Sequence, residues 1–319
     1  MINWKSLKVN SFLKRFSLLV SLILILVYWP KPSVTLPLPE PSSPPPLITL
    51  LFVGDLSFDR HIRESINTHD YTWPLKELTD FLQGFDLVIV NLESPITNNP
   101  SISLGSIPGE PRNFSFTSSP ETAVALAENN IRLVNLGNNH ILNFGSQGLA
   151  QTKKYLIDNQ IDYFGNTGQP TSDRTIIKTI NQLKLGFVNY NQFTKGGFEA
   201  TREDLMALRS QVDVLIVFCH WGEEYQPVAG IEIQSLAHQF IELGADLVIG
   251  THPHVIQQQE IYQGQPIYYS LGNFVFDQYF QPETKKGLLV GVTLNPESLT
   301  FTGIKEYYVE MLPSGQTAL

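Results

Sequence analysis

The chain has 319 residues, 42% of them hydrophobic and 16% charged, which excludes a disordered chain and allows one large or two ordinary domains. Its formal charge is −9, and residues 47–319 alone carry −13, which excludes nucleic-acid binding driven by phosphate neutralisation and docking on anionic lipid through a basic face. A single cysteine, Cys219, excludes an internal disulfide framework.

Residues 1–29 open with Lys5, Lys8, Lys14 and Arg15 and continue as an uncharged apolar run over residues 16–29. A basic flank before an apolar run is the order of an export signal. At about 1.5 Å per residue the run spans about 21 Å, short of a hydrocarbon core of about 30 Å unless Phe12 and Leu13 join it. The segment therefore reads as a signal peptide or a signal anchor. No small-x-small cleavage site precedes Pro30, which favours the anchor, with the basic end in the cytoplasm and the body outside. Residues 30–46 hold eight prolines and read as a stiff, extended linker. The folded body is expected over residues 47–313, with residues 314–319 as a C-terminal tail.

In the body, short apolar runs predict buried strands over residues 48–53, 87–90, 131–136, 214–219 and 247–249. Helices are expected over residues 73–85, 121–130, 146–159, 201–211 and 230–243; Ser119-Pro120 supplies a start signal and Gly244 a stop. Alternating strands and helices indicate an α/β sheet with mostly parallel strands. Strands without helices are expected over residues 162–164, 174–180, 183–188, 255–262, 266–271, 287–294 and 299–309, which suggests a second, largely antiparallel sheet.

Asp55, Glu93, Asn139, His220 and His252 each fall just past the C-terminal end of one of the first five strands. In open α/β sheets, ligands bind outside those ends. Carboxylate, amide oxygen and imidazole together suit Zn, Mn, Fe or Co. Pro253 biases His252 towards an extended backbone, in which His252 and His254 would point to one side. Any one of these residues taken alone could serve a turn or a surface; the five strand ends taken together point to a metal site.

Gly54-Asp55-Leu56-Ser57-Phe58-Asp59-Arg60, Asn91-Leu92-Glu93, Asn138-Asn139-His140, His220-Trp221-Gly222-Glu223-Glu224-Tyr225, Gly250-Thr251-His252-Pro253-His254 and Tyr269-Ser270-Leu271-Gly272-Asn273-Phe274 resemble, in order and spacing, the CapA family. These capsule or poly-γ-glutamate biosynthesis proteins are related to calcineurin-like metallophosphatases. The resemblance implies a four-layer αββα sandwich of metallophosphatase type and one or two divalent ions held by Asp55, Glu93, Asn139, His220, His252 and His254. It implies His140 as the catalytic acid and Arg60, Trp221, Glu224 and Asn273 as substrate contacts. Arg60 has a second reading as a structural ion pair, Trp221 as core, and Asn273 as the brace of a loop near the metals. Ser57 stands where the phosphoesterases carry a histidine, and Asn143 where relatives usually carry an acid. The expected function is a membrane-anchored, extracytoplasmic, metal-dependent hydrolase of a phosphate ester or of an amide in an anionic surface polymer. The alternatives are an accessory protein that tethers such a polymer within a synthesis complex, and a metal-stabilised binding module.

Overall fold

A computed structural model describes residues 46–165 and 173–319. The expected export segment and all but the last residue of the expected linker lie outside the described residues. Among the described residues, no helix is long and apolar enough to cross a membrane.

Two sheets carry the body. In the first, β1 (Ile48–Leu56), β2 (Leu87–Leu92), β3 (Ile131–Asn135) and β4 (Asp162–Phe164) run parallel. Beyond β1 it continues with the antiparallel strands β12 (Lys286–Asn295), β13 (Thr300–Met311) and β14 (Thr317–Ala318). The short β11 (Asn273–Val275) pairs in parallel with the end of β1. The second sheet has the order β5 (Thr175–Ile180), β6 (Leu183–Asn191), β7 (Val214–His220), β8 (Leu247–Thr251), β10 (Gln265–Tyr268), β9 (Gln259–Tyr262). Its four central strands are parallel and its two edges antiparallel.

Strand alternation explains how the layers stack. In β1, Ile48, Leu50 and Phe52 face the second sheet, whereas Leu51 and Val53 face outward. In β7, Val214, Ile216 and Phe218 face the first sheet, and Leu215, Val217 and Cys219 face outward. Strands with both faces buried read as continuous apolar runs, as these do. The outer face of the first sheet is covered by α1 (His61–Thr68), α2 (Thr79–Leu82), α3 (Glu121–Glu128) and α4 (Gly145–Asp158), through residues such as Ile62, Leu82, Leu126 and Leu156. The outer face of the second is covered by α5 (Gly197–Leu208) and α6 (Ile231–Glu242), through Leu205, Ala237, Phe240 and Ile241. The result is the four-layer αββα sandwich expected from the sequence.

Three details differ from expectation. The antiparallel strands build no sheet of their own: β9 and β10 complete the second sheet, while β12 and β13 extend the first. β12 needs this place because Leu288, Val290, Val292 and Leu294 fill the core between the sheets while Leu289 fills the outer one. The helix expected over residues 73–85 is a 3-10 turn, Trp73–Leu78, running into the four-residue α2. Pro74 sits in the first turn, and Gly84 follows the second segment. Last, residues 314–319 are part of the sandwich. Thr317 is fully buried and its hydroxyl donates to the Phe274 carbonyl at 2.7 Å, and Trp73 Nε1 donates to the Ser314 carbonyl at 2.9 Å.

Thr317→Val is therefore expected to destabilise the protein by about 1–3 kcal/mol, the cost of a buried carbonyl left without its donor. Deleting residues 314–319 is expected to cost more. Denaturant unfolding tests both, and an unchanged midpoint for the deletion would restore the tail reading.

Candidate metal centre

The site forms where the C-terminal ends of β1, β2 and β3 in one sheet meet those of β7 and β8 in the other. Phe52 pairs with Ile89 and Asp55 with Asn91, so β1 uses three steps where β2 uses two. That extra residue is a bulge, which re-aims a side chain. It turns Asp55 to the side that Phe52 occupies, between the sheets. Gly54 permits the close passage: a Cβ there would lie 1.9 Å from the Gly272 carbonyl oxygen, which accepts the Asp55 N–H at 3.0 Å. In β2, Leu87, Ile89 and Asn91 share the inward face, and in β7 His220 continues the inward series of Val214, Ile216 and Phe218.

His252 and His254 reach the site by another route than expected. Their φ angles are 98° and 58°, so the segment is not extended. Such conformations cost non-glycine residues about 1–3 kcal/mol each and persist where surrounding contacts impose them. Here the His252 N–H donates to Asp55 Oδ2 at 3.1 Å and the Pro253 carbonyl accepts from the Tyr225 N–H at 2.8 Å.

The donor atoms fall into two overlapping groups, Glu93 with His252 and His254, and Asp55 with Glu93 and His220, each within 4.8 Å. Glu93 belongs to both. His220 Nε2 faces Asn139 Oδ1 at 2.8 Å and His252 Nδ1 at 3.2 Å, and His254 Nε2 faces Glu93 Oε1 at 3.6 Å. Ligands held at about 2.0–2.1 Å around a tetrahedral zinc ion sit about 3.3 Å from one another, and the three distances above, 2.8 to 3.6 Å, bracket that value.

The electrostatics fit a cation. Glu93 is fully buried, and its Oε1 has no hydrogen-bond donor. Burial first, then the Asp55 charge, push Glu93 well above the usual carboxylate range. Burial also works against ionised Asp55, but the hydrogen bonds from His254 and Asn91 act the other way, and Asp55 lies well below its ordinary value. Burial pushes His252 down to about 3 and His220 well below its ordinary value, so both imidazoles are neutral, the ligand form. A buried carboxylate pair facing neutral imidazoles lacks positive charge, and a divalent ion supplies it.

An amide network positions the ligands. Asn91 Nδ2 lies 2.7 Å from Asp55 Oδ1, 3.2 Å from His220 Nδ1 and 3.4 Å from Glu93 Oε2. Its own Oδ1 accepts from Asn135 and Asn138. Asn138 Oδ1 accepts the N–H groups of His140 and Ile141, a turn that carries Asn139 and His140 into the site. The sequence assigns none of these asparagines a role, although Asn91 and Asn138 lie within the quoted motifs and Asn91 shares the alternation of Leu87 and Ile89. Asn273 is buried and its Oδ1 accepts from His254 Nδ1 at 2.9 Å, which leaves Nε2 free to face Glu93. It orients a ligand; it lines no cleft, so the expected substrate contact is corrected.

A cleft of about 480 Å³ opens beside the ligands, with His140, His254, Arg60, Glu224 and Tyr225 among its walls. Trp221 is absent from it. It continues the outward series of β7, stacks on Phe240 and donates to the Tyr269 carbonyl at 2.9 Å, so the substrate role expected for it is corrected to core packing. Arg60 lines the cleft, and its guanidinium is held by Asp277 and Asn113, the structural ion pair of its second reading. Ser57 is buried, with its N–H on the Val275 carbonyl at 2.9 Å. Cys219 is buried against the outer core. Phe193, unnoticed in the sequence, sets its ring 4.6 Å from that of His252.

A family model for the bacterial capsule synthesis protein PGA_cap matches residues 49–278. The chain is 29% identical over 263 residues to the capsule biosynthesis protein CapA of Bacillus anthracis, covering 76% of this chain and 63% of that protein. It is 25% identical over 255 residues to the PGA biosynthesis protein CapA of Bacillus subtilis, covering 73% and 64%. The chain thus spans under two thirds of the length of these relatives. Among solved structures it resembles a novel phosphatase from Mycoplasma pneumoniae, with a TM-score of 0.52 at 18% identity over 83% of this chain and 94% of that one. It also resembles a hypothetical protein from Thermus thermophilus, with a TM-score of 0.51 at 18% identity over 82% and 99%. At such identity the likeness is one of fold.

Removing a group that orients a metal-binding histidine typically costs about 10–100-fold in metal affinity. Asn273→Ala is expected to weaken divalent-metal binding by that factor in a calorimetric titration, and Cys219→Ser to leave it unchanged. The reverse pattern would refute the assignment of His254.

Proposed function

The chain belongs to the bacterial capsule synthesis protein family PGA_cap, and we propose that it is a metal-dependent hydrolase acting in capsule or poly-γ-glutamate biosynthesis. The observation that carries this reading is Glu93, shared by both ligand groups, with the His140 imidazole 3.8 Å from its Oε1 on the wall of an open cleft. Asp55, Glu93, Asn139, His220, His252 and His254 hold one or two divalent ions, of zinc, manganese, iron or cobalt chemistry. When bound, such ions polarise a phosphoryl or carbonyl oxygen and acidify a water. The substrate class is a phosphate ester, or an amide of a surface polymer.

His140 moves the proton. Asn143 Oδ1 accepts the Phe116 N–H at 2.8 Å and lies 3.2 Å from His140 Nδ1. An oxygen that already accepts one N–H accepts a second from Nδ1, so Nε2 carries the lone pair. Burial pushes His140 down to about 4, so at neutral pH the ring is neutral. It takes up at Nε2 the proton that the attacking water gives up and delivers it to the leaving group. An acid at position 143 would favour the charged ring more strongly than this amide does. The tethering alternative gains nothing from the cleft walls, where Arg60 is already paired with Asp277. The basic, apolar and proline-rich order of residues 1–46 supports an anchor and spacer with the body outside the cytoplasm.

His140→Ala is expected to keep its metal and lose about 10²–10⁴-fold in turnover on substrates with poor leaving groups, and far less on activated ones. His252→Ala and His254→Ala are expected to lose metal. Elemental analysis beside a phosphatase and amidase panel decides; a metallated wild type inert across the panel would leave the accessory role. Residues 47–319 expressed alone are expected to melt cooperatively, and an aggregated product would move the domain boundary.

A further inference from the structure

The cleft has two kinds of wall. Its inner end is the imidazoles of His140 and His254; its outer end is aromatic, with Phe114, Tyr225, Tyr279 and Phe280. Phe280 is 64% exposed and Phe114 45%. Large apolar rings left in water beside a cavity mark a surface that takes a ligand. Tyr225 and Phe280 meet edge to face, at 88° with centroids 5.2 Å apart, and most of the Phe280 ring stays open to solvent at this corner.

The charges of this outer end have one sign in excess. Arg60 is the one lysine or arginine among the described residues that line the cleft, and it is not free. Its Nε lies 2.9 Å from Asp277 Oδ1, Nη2 bonds the same oxygen, and Nη1 lies 3.2 Å from Asn113 Oδ1. Its plane is further enclosed by Phe116 and Phe276, at 4.8 and 5.5 Å from their centroids. Glu224 has no such cation. Its carboxylate stands exposed at the cleft and accepts from the Tyr225 hydroxyl, and its charge reaches Glu93.

Three ligand chemistries compete for such a corner. A polyanion would meet the Glu224 carboxylate with no free cation to answer it. A flat base or sugar stacks best between parallel faces, and these two faces are perpendicular. An ammonium group is attracted by an exposed ring face, as Phe280 offers, and by the carboxylate together. We infer that the outer cleft is a subsite for an alkylammonium group, carried by a substrate whose scissile ester or amide lies at Glu93 and the histidines. This rests on the hydrolase reading for the position of the scissile bond, while the ammonium subsite itself needs no metal.

The test measures binding of choline, of ethanolamine and of 3,3-dimethylbutan-1-ol, the neutral isostere of choline, to the full chain by calorimetry. An ammonium is expected to bind about tenfold more tightly than the isostere. Glu224→Gln is expected to remove that preference, and Phe280→Ala, at an exposed position, to weaken the ammonium about tenfold. Preference for choline assigns the group to a quaternary headgroup, and preference for ethanolamine to an amino-terminated chain. His252→Ala separates the two readings: it is expected to lose metal and keep ammonium binding. Equal affinity for choline and its isostere, or no binding of either ammonium, would overturn the subsite even with the metal centre intact.

Discussion

Glu93 is the constraint on which the rest of the site depends. A carboxylate without solvent and without a donor on Oε1 is unstable as an anion unless positive charge is supplied. Every neighbour is arranged around that deficit. Asp55 brings a second carboxylate, His220 and His252 bring neutral imidazoles, His254 brings a third ring, and Asn91 bonds or faces three of these groups at once. A polar cluster of this density between two sheets costs stability, and two left-handed histidines add to the cost. The apolar core between the sheets, from Ile48 and Phe52 to Phe218 and Leu294, offsets it by burying whole strand faces.

The meeting of two sheets gives this cluster its geometry. One sheet places Asp55, Glu93 and Asn139, and the other places His220, His252 and His254. Neither set alone forms either ligand group, because each group joins Glu93 to at least one histidine of the other sheet. Packing between the sheets is thereby coupled to ligand spacing, and rigid strand ends hold donors more closely than free loops would. The cleft beside the cluster is lined by His140 and His254 and by the aromatic rings of Phe114, Tyr225, Tyr279 and Phe280.

Much of this was legible in the sequence. The apolar runs fixed the parallel strands, and ligand-type residues one to three positions past each run marked the rim. The resemblance of six motifs to the CapA family carried the sandwich. What remained hidden has local reasons. His220 and Trp221 are adjacent, and strand alternation sends one to the metal centre and the other to the outer core. The bulge before Asp55 shifts alternation by one residue, and no residue type announces it. Asn91 gives no sign in the sequence of the three groups its amide bonds or faces, and for Asn273 the sequence offers a loop brace without showing that it holds His254.

The sequence by itself determined which residues were available for the chemistry and which end of the strands they occupied, because strand period and apolar runs are local properties. Tertiary structure decided which of them meet. Whether Arg60 is free or paired depends on Asp277, 217 positions away. Whether residues 314–319 are a tail or a strand depends on the edge of β13. The convergence of His252 and His254 depends on a backbone held in place by Asp55 and Tyr225, against the local preference of both histidines. Contacts between residues so far apart leave no periodic trace along the chain, since their free energy arises only when the two sheets close on each other.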